Sequence, residues 1–461
     1  MNVTLSVVEG PADEREYVFT ERATVIVGRS NDCHMVIPSD KEAAATISRH
    51  HCLLDINPPN IRVRDFGSLN GTQVNGVEIG RRGKGQTPAE GALLRLPELD
   101  LRHGDQVKLG PTLLSVGISG GDEIAATAIP CSRCGSPITG DAVRRDGDLV
   151  CHRCRQDLTA CVEDLIRKAD AGELDLKPIS GYELIRELGR GGQGIVFLAK
   201  HRKSGSLVAL KVLLAEVASS SRAQKQFFRE MSSISTLSHP NIVSFHESGE
   251  SGGQFFFTSD YCDGGSIADV IRNRKSLFPI ESSVKLVLQV LQALEYAHTA
   301  EVSVPGHTTV RGLVHRDVKP ENILLSSADS GVTAKLADFG LAKAFDLAGL
   351  SGQTFTGESA GTMRFMSREQ LTNFKYSRPA IDVWSTAATL YWMLTAEAPR
   401  EFLPGADHIR TVLDTSAVPI RERNPNVPAR LAAAIDKALI DHPKIKVDSA
   451  AAFARSLREA L

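Results

Sequence analysis

Val314-His315-Arg316-Asp317-Val318-Lys319-Pro320-Glu321-Asn322, with Asp338-Phe339-Gly340 arriving 21 residues after Asp317, is the stretch on which the reading of this chain turns. Its residue types suit one chemistry. A carboxylate can orient an attacking hydroxyl and take its proton. An asparagine and a second aspartate offer hard oxygens to magnesium, and a lysine supplies a cation for phosphate.

Upstream lies Leu188-Gly189-Arg190-Gly191-Gly192-Gln193-Gly194-Ile195-Val196, a G-x-G-x-x-G-x-V run. Alone it is weak, because dinucleotide folds use the same glycines. Those folds want a helix next and an acidic residue about 20 positions on. Here a strand-like run follows, Ile195 to Ala199, then a second, Leu207-Val208-Ala209-Leu210-Lys211. A glycine loop between two strands can close over phosphates with little steric cost, and Lys211 would point at them from a strand.

Taken together, these motifs resemble the serine/threonine protein kinases of the bacterial eukaryotic-like type, over about residues 179–461. The resemblance implies an α+β bilobal kinase fold, ATP and Mg2+ (or Mn2+). It makes Gly189, Gly191 and Gly194 the phosphate lid and places Val196, Ala209, Ser259 and Tyr261 around the nucleotide. Lys211 reaches the α/β-phosphates and pairs with Glu230. Asp317 is the catalytic base, Lys319 contacts the transferring phosphate, and Asn322 and Asp338 hold magnesium. Asp260, Tyr261 and Cys262 form the hinge, and Asp382 is a buried helix anchor behind the catalytic loop. Arg316 would meet a phosphate on the activation segment, with Thr354 and Thr356 as autophosphorylation candidates. The base, the magnesium aspartate and the lysine are all retained, which argues for a competent enzyme over a pseudokinase.

Two features depart from the family. Ser367-Arg368-Glu369 stands where A-P-E is usual, and Lys446 aligns with the arginine that normally pairs with that glutamate. A Glu369–Lys446 ion pair is the expectation, without the bidentate fork of arginine. Ser303 to Arg311, before the catalytic loop, also looks longer than usual.

Residues 1–118 read as an all-β sandwich. Short runs such as Thr24 to Val27, Cys52 to Leu54, Ile61 to Val63 and Gln106 to Leu109 lie between turn signals, and Val74-Asn75-Gly76-Val77 is a two-residue hairpin. Three polar loops follow or precede strands: Gly28-Arg29-Ser30, Ser48-Arg49-His50-His51 and Ser68-Leu69-Asn70-Gly71-Thr72. Arginine offers a charged fork to phosphate, serine a hydroxyl and asparagine an amide for an extended peptide. In order and spacing these loops resemble the forkhead-associated (FHA) domain. That resemblance implies phosphothreonine binding by Arg29 and Ser48, with help from Arg49. It has Asn70 on the peptide backbone and His51 bracing the loops.

Between the two regions, Cys131, Cys134, Cys151 and Cys154 form C-x2-C, 16 residues, C-x2-C. This fits a small zinc ribbon at 128–156, closed by four thiolates and therefore structural. Two disulfides or coincidental thiols are the alternatives; an intracellular chain disfavours the first and the spacing the second. A helical linker, 157–178, follows. Cys33, Cys52, Cys161 and Cys262 are scattered core or surface thiols.

The 461 residues carry 53 Lys plus Arg against 55 Asp plus Glu, a formal net charge of -2. That argues against a globally basic nucleic-acid or membrane binder. The zinc segment is locally basic but lacks aromatic stacking residues. The longest apolar stretch, Val383 to Ala396, is short for a membrane span and reads as a buried helix. No secretory signal stands at the start, so a soluble cytoplasmic protein is expected. Expected partners are protein substrates and phosphothreonine-containing proteins, with self-association through the FHA domain and activation segment as one form. The rival function is a phosphorylation-dependent scaffold in which catalysis is secondary.

Overall fold

The computed structural model describes the chain apart from residues 1, 12–13, 21–22, 39–45, 88–89, 92–93, 95, 120–128, 131–136, 139–142, 146–147, 151–178, 180, 192–193, 214–236, 252–253, 275, 303–309, 329–330, 340–359 and 373–376. The four paired cysteines, Cys161, the linker 157–178, Glu230, Thr354 and Thr356 lie outside the described residues. The chain forms two compact units. One comprises Met1–Ser119, Glu216–Glu247 and Ser259–Leu461; the other comprises Gly120–Ala215 and Ser248–Thr258.

The first unit opens with a β-sandwich. Its strands are β1 (Asn2–Glu9), β2 (Glu16–Phe19), β3 (Ala23–Gly28), β4 (Met35–Val36), β5 (Cys52–Asn57), β6 (Asn60–Asp65), β7 (Thr72–Val74), β8 (Val77–Gly80), β9 (Glu98–Leu101), β10 (Gln106–Leu109) and β11 (Thr112–Ser119). One sheet runs β2-β1-β11-β10-β7-β8 and the other β4-β3-β5-β6-β9. Alternation sets which residues meet between them: Val3, Leu5, Leu114 and Val116 from one sheet face Val25, Val27, Leu54 and Val63 from the other. The Asn75-Gly76 turn joins β7 to β8 with φ of 51° and 80°, as the two-residue hairpin demands. The second sheet is covered on its outer face as well around Ile26, Leu53 and Phe66, which belong to a separate apolar cluster.

In the second unit, two short hairpins flank the cysteine pairs: β12 (Ile129–Pro130) with β13 (Pro137–Ile138), and β14 (Val143–Arg145) with β15 (Asp148–Val150). Then come β16 (Tyr182–Gly191), β17 (Gly194–His201), β18 (Leu207–Leu213), β19 (Phe245–Ser251) and β20 (Gln254–Asp260), in sheet order β16-β17-β18-β20-β19. Ile179, Tyr182, Ala199, Val208, Leu210, Val212 and Phe256 make its apolar core.

The remainder of the first unit is mostly helical: α1 (Ile267–Arg274), α2 (Ile280–Thr299), α3 (Ala360–Met363), α4 (Arg368–Thr372), α5 (Ala380–Thr395), α6 (His408–Asp414), α7 (Ile420–Arg423), α8 (Ala429–Ala438) and α9 (Ala450–Ala460). The extra segment before the catalytic loop is framed by a small ladder, β21 (Glu301–Val302) on β22 (Val310–Arg311). The hairpin β23 (Ile323–Ala328) and β24 (Gly331–Leu336) follows the loop. Helix α5 is the apolar run expected from sequence, extended to start after Pro379, where a missing N–H does no harm. Trp384 is fully buried on it and donates its indole N–H to the Leu439 carbonyl at 3.0 Å. Among the described residues, no helix is long and apolar enough to cross a membrane.

The expected Glu369–Lys446 pair gives way to another. Glu369 takes a bidentate pair from Arg378, at 2.8 and 2.6 Å, nine residues along the chain. Arg378 supplies the fork that a lysine lacks, so the activation-segment end is fastened locally. The unusual Arg368 turns inward instead. Its guanidinium reaches the Leu413 and Thr415 carbonyls and Asp441, whose other oxygen takes the Arg368 amide and the guanidinium of buried Arg400. Arg400 also stacks over Trp384, 4.6 Å from the ring centroid.

Asp441 thus neutralises two buried guanidiniums. Asp441→Ala should destabilise the chain by about 3–5 kcal/mol, because both charges lose their partner without access to water. Lys446→Ala should stay within about 0.5 kcal/mol of wild type. Urea unfolding of both variants checks this.

Candidate active site and phosphate-binding loops

The catalytic loop hangs from α5. Buried Asp382 accepts hydrogen bonds from the His315 and Arg316 amides and from His298 Nε2, each at 2.8 Å. Burial works against its charge, but the His298 hydrogen bond and the amides of the loop hold its carboxyl below the ordinary range. These bonds sustain a strained backbone, since Arg316 sits at φ 71°. His315 is buried. Its Nε2 meets the Ala337 carbonyl at 2.8 Å and its Nδ1 meets the Asp317 amide at 3.2 Å. A carbonyl only accepts and an amide only donates, so the ring is the neutral Nε2–H tautomer. It links the loop to the chain entering Asp338, which also has positive φ, 59°.

On that frame, Asp317 Oδ2 accepts from Lys319 Nζ and Asn322 Nδ2, both at 2.9 Å. Asp317 Oδ1 is buried and has no hydrogen-bond partner among the described residues. Asn322 Nδ2 also donates to the Asp317 carbonyl at 2.8 Å, which turns the amide oxygen away from Asp317. Lys319 Nζ donates to Thr362 Oγ1 at 3.1 Å. Burial opposes the lysine's charge, yet the Asp317 carboxylate raises its pKa above the ordinary value. Gln370 Nε2 donates to the Arg316 carbonyl at 2.7 Å. The structure therefore brings Asp317, Lys319, Asn322 and Thr362 together.

In the second unit, strand register groups the residues expected to serve the nucleotide. Gly189 pairs with Val196, and Val196 pairs with Lys211. Directly opposed residues share a face, and so do residues two apart on a strand. Val196, Ala209 and Lys211 therefore line one side of the sheet beside the glycine hairpin, which closes where Gly191 pairs with Gly194. Lys211 is buried, its ammonium 5.8 Å from the Phe257 ring centroid. In the first unit, Ser259 and Asp260 end β20, ahead of Tyr261 and Cys262. Asp260 accepts from Lys335 Nζ at 2.8 Å.

At the end of the sandwich the three polar loops converge. The Arg29 amide donates to the Ser48 carbonyl and the Ser30 amide to the Arg49 carbonyl, both at 3.1 Å. That approach needs glycine at 28, since a Cβ there would lie 2.1 Å from the Arg49 carbonyl oxygen. Ser48 Oγ accepts from the Leu69 amide at 3.2 Å, and Asn70 Nδ2 donates to the Thr46 carbonyl at 3.0 Å. His51 is fully buried. Its Nδ1 accepts from the Ser48 amide at 3.3 Å and its Nε2 donates to Gly71 O at 3.0 Å, so it joins two loops as a neutral ring. Burial keeps its pKa below the ordinary imidazole value. The guanidiniums of Arg29 and Arg49 are left at the surface.

Sequence reasoning missed the hub beneath these loops. Buried Asp65 accepts from the Ser68 amide and hydroxyl at 2.7 Å and from the Thr72 hydroxyl at 2.6 Å. An aspartate three residues before a serine is an Asx-turn signal that could have revealed it.

Two protein families match parts of this chain. The protein kinase domain family matches residues 182–444, and the FHA domain family matches 25–110. The serine/threonine-protein kinase PknF of Mycobacterium tuberculosis is 35% identical over 280 residues, 60% of this chain and 56% of that protein. PknJ of Mycobacterium bovis is 33% identical over 287 residues, 61% of this chain and 46% of its own. The chain thus spans about half the length of the curated relatives it matches. The crystal structure of the Mycobacterium tuberculosis PknI kinase domain aligns with TM-score 0.47 at 27% identity, over 61% of this chain and 96% of that one. The N-terminal sandwich is an FHA domain. Since the kinase match takes in more than half of the residues, and the catalytic loop it covers is assembled on Asp382, this chain belongs to the protein kinase family.

Proposed function

We propose that the chain is an ATP-dependent serine/threonine kinase that phosphorylates protein hydroxyls, with an FHA domain that binds phosphothreonine for self-regulation or substrate recruitment. One observation carries the catalytic half: Asp317 has one oxygen held by Lys319 and Asn322 and the other buried without a donor among the described residues. A buried acceptor without a donor is costly in a resting protein and useful to an incoming hydroxyl. The substrate oxygen attacks the γ-phosphorus, its proton passes to Asp317, and ADP leaves. Lys319, bridging Asp317 and Thr362, is placed to balance charge on the transferring group. Lys211, beside the glycine hairpin with Val196 and Ala209, serves the α/β-phosphates, and Glu230 is its proposed partner. Ser259 and Tyr261 border the base.

The donor set suits magnesium, because the Asn322 amide oxygen is turned away from Asp317 and Asp338 adds a carboxylate. Asn322 and Asp338 would hold the ion, which when bound neutralises phosphate charge. The proposed FHA contacts are Arg29, Ser48 and Arg49 to phosphate and Asn70 to peptide backbone. The two hairpins flanking the cysteine pairs support the zinc ribbon on Cys131, Cys134, Cys151 and Cys154. A cytoplasmic setting fits reduced Cys33, Cys52 and Cys262, which are buried thiols.

Asp317→Asn should lower phosphate transfer to a threonine peptide by about 10²–10⁴-fold, the usual contribution of a positioned base, and Lys211→Met should also abolish it. Mass spectrometry after incubation with ATP should find phosphate at Thr354 or Thr356 in wild type and not in Asp317→Asn. A wild-type chain that transfers no phosphate yet binds phosphopeptide would replace the enzyme reading with a scaffold. Arg29→Ala should weaken phosphothreonine-peptide binding by about 1.5–3 kcal/mol in calorimetry, the worth of a charged hydrogen bond, while transfer to an unphosphorylated peptide is unchanged. Elemental analysis should find zinc at about one ion per chain, released in Cys131→Ser, where one of four ligands is gone.

A further inference from the structure

We propose that the outer face of the β3-β5-β6 sheet is an intramolecular docking surface, and that its partner is helix α6 together with the activation-segment end of the same chain, which it holds in register with the catalytic loop. The inference rests on the kinase reading above.

The sheet is apolar on the wrong side for a free sandwich. Ile26, Leu53 and Phe66 point away from the sandwich core, yet are only 0%, 5% and 2% exposed. What covers them is Ile409, Val412 and Leu413 of α6, with Met363 and Leu371. A rim of specific polar contacts surrounds this patch. Arg64 pairs with Asp407 at 2.7 Å, and the Arg410 guanidinium donates to the Phe66 carbonyl. At the opposite edge His50 stands between two carboxylates: Nε2 meets Asp32 of the sandwich at 3.0 Å and Nδ1 meets Asp414 of α6 at 3.2 Å.

The covered residues adjoin the machinery. Met363 follows Thr362, which bonds Lys319; Leu371 follows Gln370, which bonds the Arg316 carbonyl. Two apolar side chains of the cluster that α6 shares with the sandwich thus lie one residue from two anchors of the catalytic loop. Arg49, one of the phosphate-loop arginines, lies 3.8 Å from Asp414. Phosphate site and docking surface therefore share an edge.

The His50 clasp gives the surface a pH signature. Groups facing it are Asp32, Cys33, Asp414, Arg49 and Arg410. Burial opposes the imidazolium, but the bonds to Asp32 and Asp414 raise its pKa above 6.5. Burial likewise opposes the Asp414 charge, while His50 and Arg410 pull that carboxyl down to about 2. A raised imidazole contributes stability that is complete below its ordinary value and is lost as pH climbs through the raised one. A neutral ring has one N–H for two carboxylates, so docking weakens there.

The test uses the full chain and two variants entering the patch from opposite sides, Leu53→Glu and Val412→Glu. Both place a charge in the covered patch. Hydrogen exchange at 408–414 and 360–372 should quicken by about tenfold or more in each, as a docked element becomes a locally open one. The kcat on an unphosphorylated threonine peptide should fall by about tenfold, with KM for ATP near wild type, as expected for lost positioning. Phosphothreonine-peptide binding by Leu53→Glu should persist, since Leu53 lies outside the sandwich core. In wild type, the protection of 408–414, taken relative to intrinsic base-catalysed exchange, should fall as pH rises above the ordinary imidazole value of 6.5, and His50→Gln should lose that step. The proposal is overturned if exchange at α6 is unchanged in either variant, or if kcat holds while α6 opens. An inactive wild type would refute the kinase reading instead.

Discussion

The buried carboxylate of Asp382 is the constraint on which the catalytic half of this protein depends. Three donors converge on it at 2.8 Å, and two are amides of consecutive residues. Holding both His315 and Arg316 fixes the loop in a conformation that an unconstrained arginine avoids, at φ 71°. From that fixed point the rest follows over a few bonds. His315 ties the loop to the strand before Asp338, and Asn322 and Lys319 close around Asp317. Such a network is stable only because its carboxylate is well supplied with donors; a buried charge with fewer partners would cost several kcal/mol.

A second ionic centre secures the helices that carry the activation-segment end. Arg368, Arg400 and Asp441 make one buried cluster, with backbone carbonyls filling the remaining donor positions of the guanidiniums. The family's proline position is thus not simply lost. An arginine there trades a rigid backbone for side-chain reach and connects three parts of the chain that are distant in sequence. Glu369 is left to Arg378, a bond a short segment can make by itself.

The sandwich faces both ways for a physical reason. Its inner face is filled by the other sheet, and its outer face carries Ile26, Leu53 and Phe66, which need a cover. Apolar contact with α6 supplies the driving force, and the Arg64–Asp407 pair and the His50 clasp add direction. The FHA domain and the helices after the catalytic loop are then packed together rather than only tethered.

Much of this was legible from residues alone. Local chemistry decided the strands, the Asn75-Gly76 hairpin and helix α5, because turn residues and periodicity act over a few positions, whereas the parts expected of Asp317, Lys319 and Asn322 came from the family resemblance of their motif. What stayed hidden has long sequence separation in common. Asp441 meeting Arg368 and His50 reaching Asp414 across 364 positions depend on which surfaces meet, not on local pattern. Sequence by itself determined which groups could handle phosphate; tertiary structure decided which of them are held, neutralised or left open, because a charge takes its properties from the partners that folding brings within about 3 Å.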